Sequence, residues 1–213
     1  MHFDLAAIGE TNAYKLLIST VVPRPIALVS TLDKSGRINA APFSFFNAVS
    51  SRPPVVVLGI NGEGPGGSPQ KDTEQNIRDS GEFVVNLVDE AIAERMNVCA
   101  VDFPTGTGEL DIADLHSAPS VGVKPPRIVE APVAFECQRI TGLSLSSAST
   151  LEVGRVIHIH IRDDLVDPEK FYVKTPQLKL VGRMHGRGWY ARTSDLFEMD
   201  RITYSEWKDG RRK

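Results

Sequence analysis

The sequence predicts a mainly β chain, a largely antiparallel β-barrel with a few packed helices, in a single domain over residues 1–213. Three observations predict it. Short β-branched and apolar runs recur at residues 26–31, 54–60, 82–88, 133–140 and 151–161. The connections after the first pair of runs are short or hold one small helix each. No G-x-G-x-x-G turn joins a strand to a helix, so a doubly wound dinucleotide fold has no anchor.

Taken in order, residues 14–19 suit either a helix end or a first strand. Residues 26–31 (IALVST) pair through a turn cluster at 33–36 with a second extended run that starts at Ile38. That second run is interrupted. Pro42 cannot donate to a ladder, and Ser44 and Asn47 bracket Phe45 and Phe46, so the backbone must bulge, lie on an edge or leave the sheet. Residues 54–60 (PVVVLGI) form a buried strand, and NGEGPGGSP after them is a loop. A helix follows over 71–80, with Asp72 as its cap, Gln75 at capping-box spacing and Gly81 at its end. After the strand at 82–88, Asp89 caps a second helix running to about residue 98, with Ile92 and Met96 on one face. Residues 102–131 are irregular, with one helical turn near 112–115. The strand at 151–161 alternates Val156, His158 and His160 against Ile157, Ile159 and Ile161, giving one polar and one apolar face. A glycine-rich turn and WYAR close the β-rich part at 182–192.

Hydrophobic residues make up 41% and charged residues 24%, with a net charge of −3. That balance gives no basic footprint for nucleic acid and no polybasic membrane patch. No apolar run approaches the length of a membrane span, and the first residues lack signal-peptide character. Cys99 and Cys137 do not make a disulfide framework. A soluble, cytoplasmic protein is the expectation.

Two segments carry candidate chemistry. The broken run offers Ser44, Phe45, Phe46 and Asn47, where freed backbone and rings can meet a planar, phosphorylated ligand. One of the two rings must face the core, since neighbours on a strand point opposite ways. Lys71-Asp72-Thr73 opens a helix after a glycine-rich loop, where free N–H groups and the helix dipole favour an anion. Arg24 and Arg52 are the other candidate phosphate partners. His158 and His160 share a face but lack a third ligand, so a solvated or interface face outweighs a metal. His116 and His185 stand in glycine- or proline-rich surroundings, and Cys137 reads as a buried strand residue. No nucleophile elbow is present.

Taken together, PRPIALVST, GRINAAPFSFFNAVSSRPP, KDTEQNI and GEFVVNL, followed by PPRIVEAPVAFEC and LEVGRVIHIHI, resemble the flavin reductase-like proteins with an FMN-binding split barrel, in their flavoredoxin-like branch. The resemblance implies a six-stranded Greek-key split barrel, a homodimer, and FMN, or FAD in its place, near the subunit interface. It implies that Arg24, Pro25, Leu28, Pro42, Ser44, Phe45, Phe46, Asn47, Ala48 and Val49 line the flavin pocket. Lys71, Asp72 and Thr73 would hold the phosphate or ribityl end, with Asn76 supporting that turn. Many members carry a tryptophan where this chain has Leu28. The implied activity is hydride transfer from NAD(P)H to flavin, chemistry that requires no acid or base side chain. The alternatives are a flavin-binding electron carrier and a flavin enzyme acting on an organic substrate, with an oxygenase or redox protein as partner.

Overall fold

In the computed structural model, which describes residues 1–68 and 70–210, the ambiguous N-terminal stretch is helical. Helix α1 (Leu5–Ile8) and helix α2 (Glu10–Thr20) lead into β1 (Arg24–Pro25) and β2 (Ala27–Leu32). Then come β3 (Ile38–Phe43), β4 (Phe46–Ser51), β5 (Pro54–Asn61), α3 (Asp72–Ser80), β6 (Glu82–Leu87) and α4 (Ala93–Val98). The irregular middle holds α5 (Glu109–Ile112), β7 (Ser117–Ala118) and β8 (Arg127–Ile128). A long hairpin of β9 (Val133–Ser146) and β10 (Ser149–Ile161) follows, then β11 (Val166–Asp167) and β12 (Tyr172–Val173). The chain ends with β13 (Val181–Arg183), β14 (Tyr190–Arg192) and α6 (Tyr204–Lys208). Among the described residues no helix is long and apolar enough to cross a membrane.

The main sheet is antiparallel, in the order β3-β2-β6-β9-β10-β5-β4. It has seven strands, not the six expected, because the extended run breaks at Ser44 and Phe45. Its first half pairs with β2 on one edge and its second half with β5 on the other. Two residues therefore join opposite edges of one sheet, and the sheet must curl until those edges meet. The Gly59 N–H donates to the Phe45 carbonyl at 2.6 Å and carries the β4–β5 pairing one residue into the break. A Cβ on Gly59 would come within 2.9 Å of the Phe45 Cβ, so glycine is what permits this approach. Among the described residues no ladder joins β3 to β4. The barrel is split along that line.

Strand β2 is buried on both faces, Ser30 and Thr31 included, which explains why its sequence does not alternate apolar with polar. Val29 faces the barrel interior with Phe46, Leu58, Phe83 and Val85. Leu28 faces the opposite way, into a second core with Ile26, Val88, Ile92 and Met96 beneath α4. The sequence pattern placed Ile92 and Met96 on one buried face of this helix, and they pack there. Asp89 caps the turn before α4 and not the helix itself; its Oδ1 accepts from the N–H groups of Ala91 and Ile92 at 3.0 and 3.1 Å. The helical turn of the middle segment lies at α5, a few residues ahead of its expected place.

The expected face alternation at 151–161 fails because a bulge between Val156 and His158 resets the register. Val156 stays in the core, whereas Ile159 is 56% exposed. The bulge also turns His160 toward Glu136, a fully buried carboxylate. Glu136 accepts from the Val121 and Gly122 N–H groups at 2.7 and 2.6 Å and meets His160 Nε2 at 2.5 Å. Burial pushes this carboxyl upward, but those partners outweigh it and hold the carboxyl below the usual glutamate range. A depressed carboxyl contributes stability that is present above its unfolded value and lost as pH falls through its folded value. Glu136→Gln should therefore cost about 2 kcal/mol near neutral pH, since an amide cannot accept at every position the carboxylate fills. Thermal melts at stepped pH should show the gap to wild type closing as acid protonates the carboxylate. A gap that stays constant into acid would refute the assignment.

Candidate functional site

A cleft of about 250 Å³ opens where the free edge of β3 faces the start of α3. One wall is the β3 segment Asn39, Ala40, Ala41, Pro42 and Phe43; the other is Lys71, Asp72 and Thr73. Residues 99–103, which follow α4, close one side, and Glu109 of α5 stands in the floor.

Each wall follows from local chemistry. Pro42 sits opposite Leu28 on the outer strand, where its missing N–H would face the open edge and no ladder bond is lost. The Ala40 N–H, which also points off the edge, donates to Glu109 Oε2 at 3.2 Å. Burial pushes the Glu109 carboxyl upward. Asn39 Nδ2 donates to Thr73 Oγ1 at 2.9 Å and ties the β3 wall to α3. Asn76 Nδ2 donates to Thr31 Oγ1 at 3.0 Å and anchors the same helix to β2.

The start of α3 differs from the sequence expectation in a way that matters. Its N-cap is Lys71, and no side chain caps it. Asp72 is the first helical residue, and Gln75 donates its amide to Asp79 at 2.8 Å instead of closing a capping box. Gly81, in the left-handed conformation at φ 73°, ends the helix as expected. The first-turn N–H groups therefore remain free of side-chain acceptors at the mouth of the cleft, and Lys71 lies beside them. Lys71 Nζ is 3.6 Å from Asp102 Oδ1, a carboxylate that is 86% exposed. At that end of the cleft the positive end of the helix dipole and Lys71 stand against the carboxylates of Asp72 and Asp102.

At its other end the cleft shares Pro42, Phe43 and Ala100 with a second hollow of about 280 Å³. This one is lined by Ser44 and Met96 and by Arg183, Arg187 and Tyr190 of the β13–β14 arm. The two form one groove along β3, with Lys71 between Asp72 and Asp102 at the α3 end, Pro42 and Phe43 in the middle, and Arg183 and Arg187 at the far end. No thiolate nucleophile stands in it: Cys99 is buried, and burial pushes its thiol up to about 11.

Of the residues expected at a site, Pro42, Lys71, Asp72 and Thr73 meet in the cleft. Ser44 lines its continuation, and Asn76 lines a small recess beside Asp72. The others do not meet there. Arg24 is 6% exposed and spends its donors inside the protein. Its Nε donates to Ser44 Oγ at 3.3 Å, Nη1 to the Ile18 and Val21 carbonyls at 2.6 and 2.9 Å, and Nη2 to the Met184 carbonyl at 3.0 Å. It braces the strand break and does not reach the cleft. Pro25 pairs with Gly182 on the surface. Leu28 is fully buried under the helix layer. Phe46 is core, while the Phe45 ring lies 6.0 Å from the Arg24 guanidinium. The paired rings thus point apart, as strand geometry requires. Asn47, Ala48 and Val49 are exposed on β4, at the opposite edge of the sheet, and Arg52 is exposed in the turn after it. His116 meets Glu130 at 2.6 Å, and His185 stacks on Trp189 at 5.9 Å. Among the described residues no three potential ligands gather around His158 and His160.

Sequence reasoning missed Asn39, Asn61, Glu109 and the segment 99–103. Asn39 was within reach, three places before Pro42 along an edge strand. Nothing local marks 99–103, whose place depends on how α4 packs.

A family profile for the flavin reductase like domain matches residues 19–187. The structure is similar to 2-nitrobenzoate 2-nitroreductase of Pseudomonas fluorescens, with TM-score 0.87, 34% identity and coverage of 96% of this chain and 98% of that one. It is also similar to nitrilotriacetate monooxygenase component B of Bacillus cereus, with TM-score 0.86, 30% identity and coverage of 93% and 98%. A protein of Shewanella frigidimarina with a split barrel domain shares the fold, with TM-score 0.80, 18% identity and coverage of 95% and 100%.

Proposed function

The chain belongs to the flavin reductase-like family, and on that premise we propose that it is an oxidoreductase that binds FMN in the cleft ahead of α3 and reduces it with NAD(P)H. The observation that carries this reading is the uncapped start of α3, with Lys71 beside it, at one end of a groove with an apolar strand-edge wall. FMN is a phosphate, a polyol and a flat ring in series. The groove offers a positive helix end, then the amides of Asn39 and Asn61 and the Thr73 hydroxyl, then Ala41, Pro42 and Phe43.

A flavin held there would supply the redox chemistry, with the reduced nicotinamide as hydride donor and a separate molecule as electron acceptor. This chain's own residues do the holding. Lys71 and the first-turn N–H groups of α3 fix the phosphate. Glu109 holds β3 in place through Ala40, so the wall under the ring is rigid. Val101 and Phe103 add apolar lining to the cleft. The hollow beside Tyr190 and Arg187 leaves an approach for a second planar molecule.

The same reading takes the protein as a homodimer whose reduced flavin serves a separate acceptor. Likeness to one component of a monooxygenase and to a nitroreductase supports an acceptor of oxygenase or nitroaromatic type. Purified protein with FMN and either NADH or NADPH should oxidise the nicotinamide faster than free flavin does. A protein that binds FMN without that acceleration is a flavin electron carrier instead. One that binds neither FMN nor FAD overturns both readings.

Asp102 gives a finer test. It competes with the ligand phosphate for Lys71 from a largely solvated position, so the pair is weak. Asp102→Asn should tighten FMN about two- to five-fold and leave riboflavin, which has no phosphate, unchanged. Equal effects on both ligands would remove Lys71 from the phosphate site.

A further inference from the structure

Every residue from 192 to 210 is exposed. This arm carries Leu196, Phe197, Met199, Ile202, Tyr204 and Trp207, each 57–84% exposed. It is not a random tail. Thr203 and Glu206 close a full capping box at the start of α6, with Glu206 Oε2 accepting from the Thr203 N–H at 2.8 Å. Tyr204 and Trp207 stack at 6.1 Å on that helix. Arg192 and Thr193 anchor its base to Glu90 and to the Leu180 carbonyl, and the shaped, apolar stretch beyond them is exposed throughout, as a segment built for another surface is.

The chain's total area points the same way. It exposes 13750 Å², whereas a compact monomer of 23.3 kDa exposes roughly 9,700 Å². The excess of about 4,000 Å² is surface a compact monomer would cover, spread over the arm and the other protruding elements, and it leaves ample area for an extensive interface. The receiving surface is also on this chain. Tyr14, Leu17 and Val21 stand exposed around α2, and Ile140, Leu143 and Leu145 near the tip of the β9–β10 hairpin. A chain with both a free apolar arm and unfilled apolar faces meets the condition for a self-complementary, two-fold interface. A membrane surface fits less well, because α6 spans five residues with Ser205, Glu206 and Lys208 among its rings and lacks a long basic face.

We propose that residues 193–210 form an exchanged arm that seats on a second copy of this chain. The inference rests on the homodimer of the reading above and assigns its fastening to the arm. Full-length Phe197→Glu/Trp207→Glu, altered only at exposed positions, should keep the wild-type circular dichroism spectrum. In sedimentation equilibrium its dimer dissociation constant should rise about 100-fold, as loss of central aromatic anchors does. The chain has two tryptophans, so Trp189→Phe leaves Trp207 as the sole emitter. Its fluorescence should be blue-shifted and shielded from acrylamide in the dimer. A dimer of unchanged affinity in the double variant would overturn the arm assignment while leaving the homodimer standing. A wild type that stays monomeric would overturn both. Trp207 quenched freely in the dimer, or shielded only on added anionic vesicles, also rules the exchange out.

Discussion

Lys71→Ala is expected to weaken FMN binding 10- to 100-fold and to leave riboflavin binding within about two-fold of wild type. The range follows from losing one charge-assisted contact worth about 1.5–3 kcal/mol. Lys71 is the cation at that end of the cleft, and the free N–H groups of the first turn of α3 remain after its removal. Part of the anion site therefore survives the substitution, and binding should persist at raised concentration. Quenching of flavin fluorescence in parallel titrations with FMN and riboflavin measures both constants. Because Lys71 is only the N-cap, with no side-chain bond to the helix, the fold should be untouched and the melting temperature unchanged. Losses of equal size for both ligands would mean that the phosphate does not sit at α3.

Arg24→Ala has the larger expected effect on stability. The guanidinium is buried and holds the end of α2, the turn after β13 and the break between β3 and β4 in one knot. Alanine strands three carbonyls and the Ser44 hydroxyl without their donor. The cost should be about 3–5 kcal/mol, since removal of a buried charged donor leaves its partners desolvated. For a chain of this length that is a fall in melting temperature of roughly 10 °C. Lysine at the same place, with one compact ammonium, should rescue little of it. If Arg24 were instead a phosphate ligand, the substitution would lower FMN affinity at constant stability. Calorimetry beside the FMN titration separates the two roles.

These two residues also show what the sequence could and could not reveal. The helix start at Lys71 was legible because a glycine-rich loop before a helix leaves its N–H groups available wherever the chain goes next. The break at Pro42–Ser44 was legible because proline forbids continuous pairing. Its consequence was not: whether the two halves pair with one neighbour or with opposite edges depends on strands far along the chain. The same limit hid the role of Arg24. A cation beside a polar segment resembles a phosphate ligand until its acceptors, one of them on Met184, are brought together by folding. His158 and His160 do share one face of a strand, but a single extra residue in the ladder ahead of them turned that face away from the one Val156 occupies and toward Glu136. Residues 99–103 gave no signal, because their position in the cleft is set by the packing of Ile92 and Met96 under α4. Local chemistry was readable and long-range pairing was not.

The central claim is that a flavin phosphate docks on the first turn of α3 while the ring lies along β3. Backbone amide chemical shifts, followed by TROSY NMR during titration with FMN, test it most directly. The predicted result is that the largest changes fall on the N–H groups of Asp72, Thr73 and Glu74 and on Ala40, Ala41 and Phe43, with riboflavin moving the β3 set alone. Changes confined to other parts of the barrel, with the α3 amides unmoved by FMN, would contradict it.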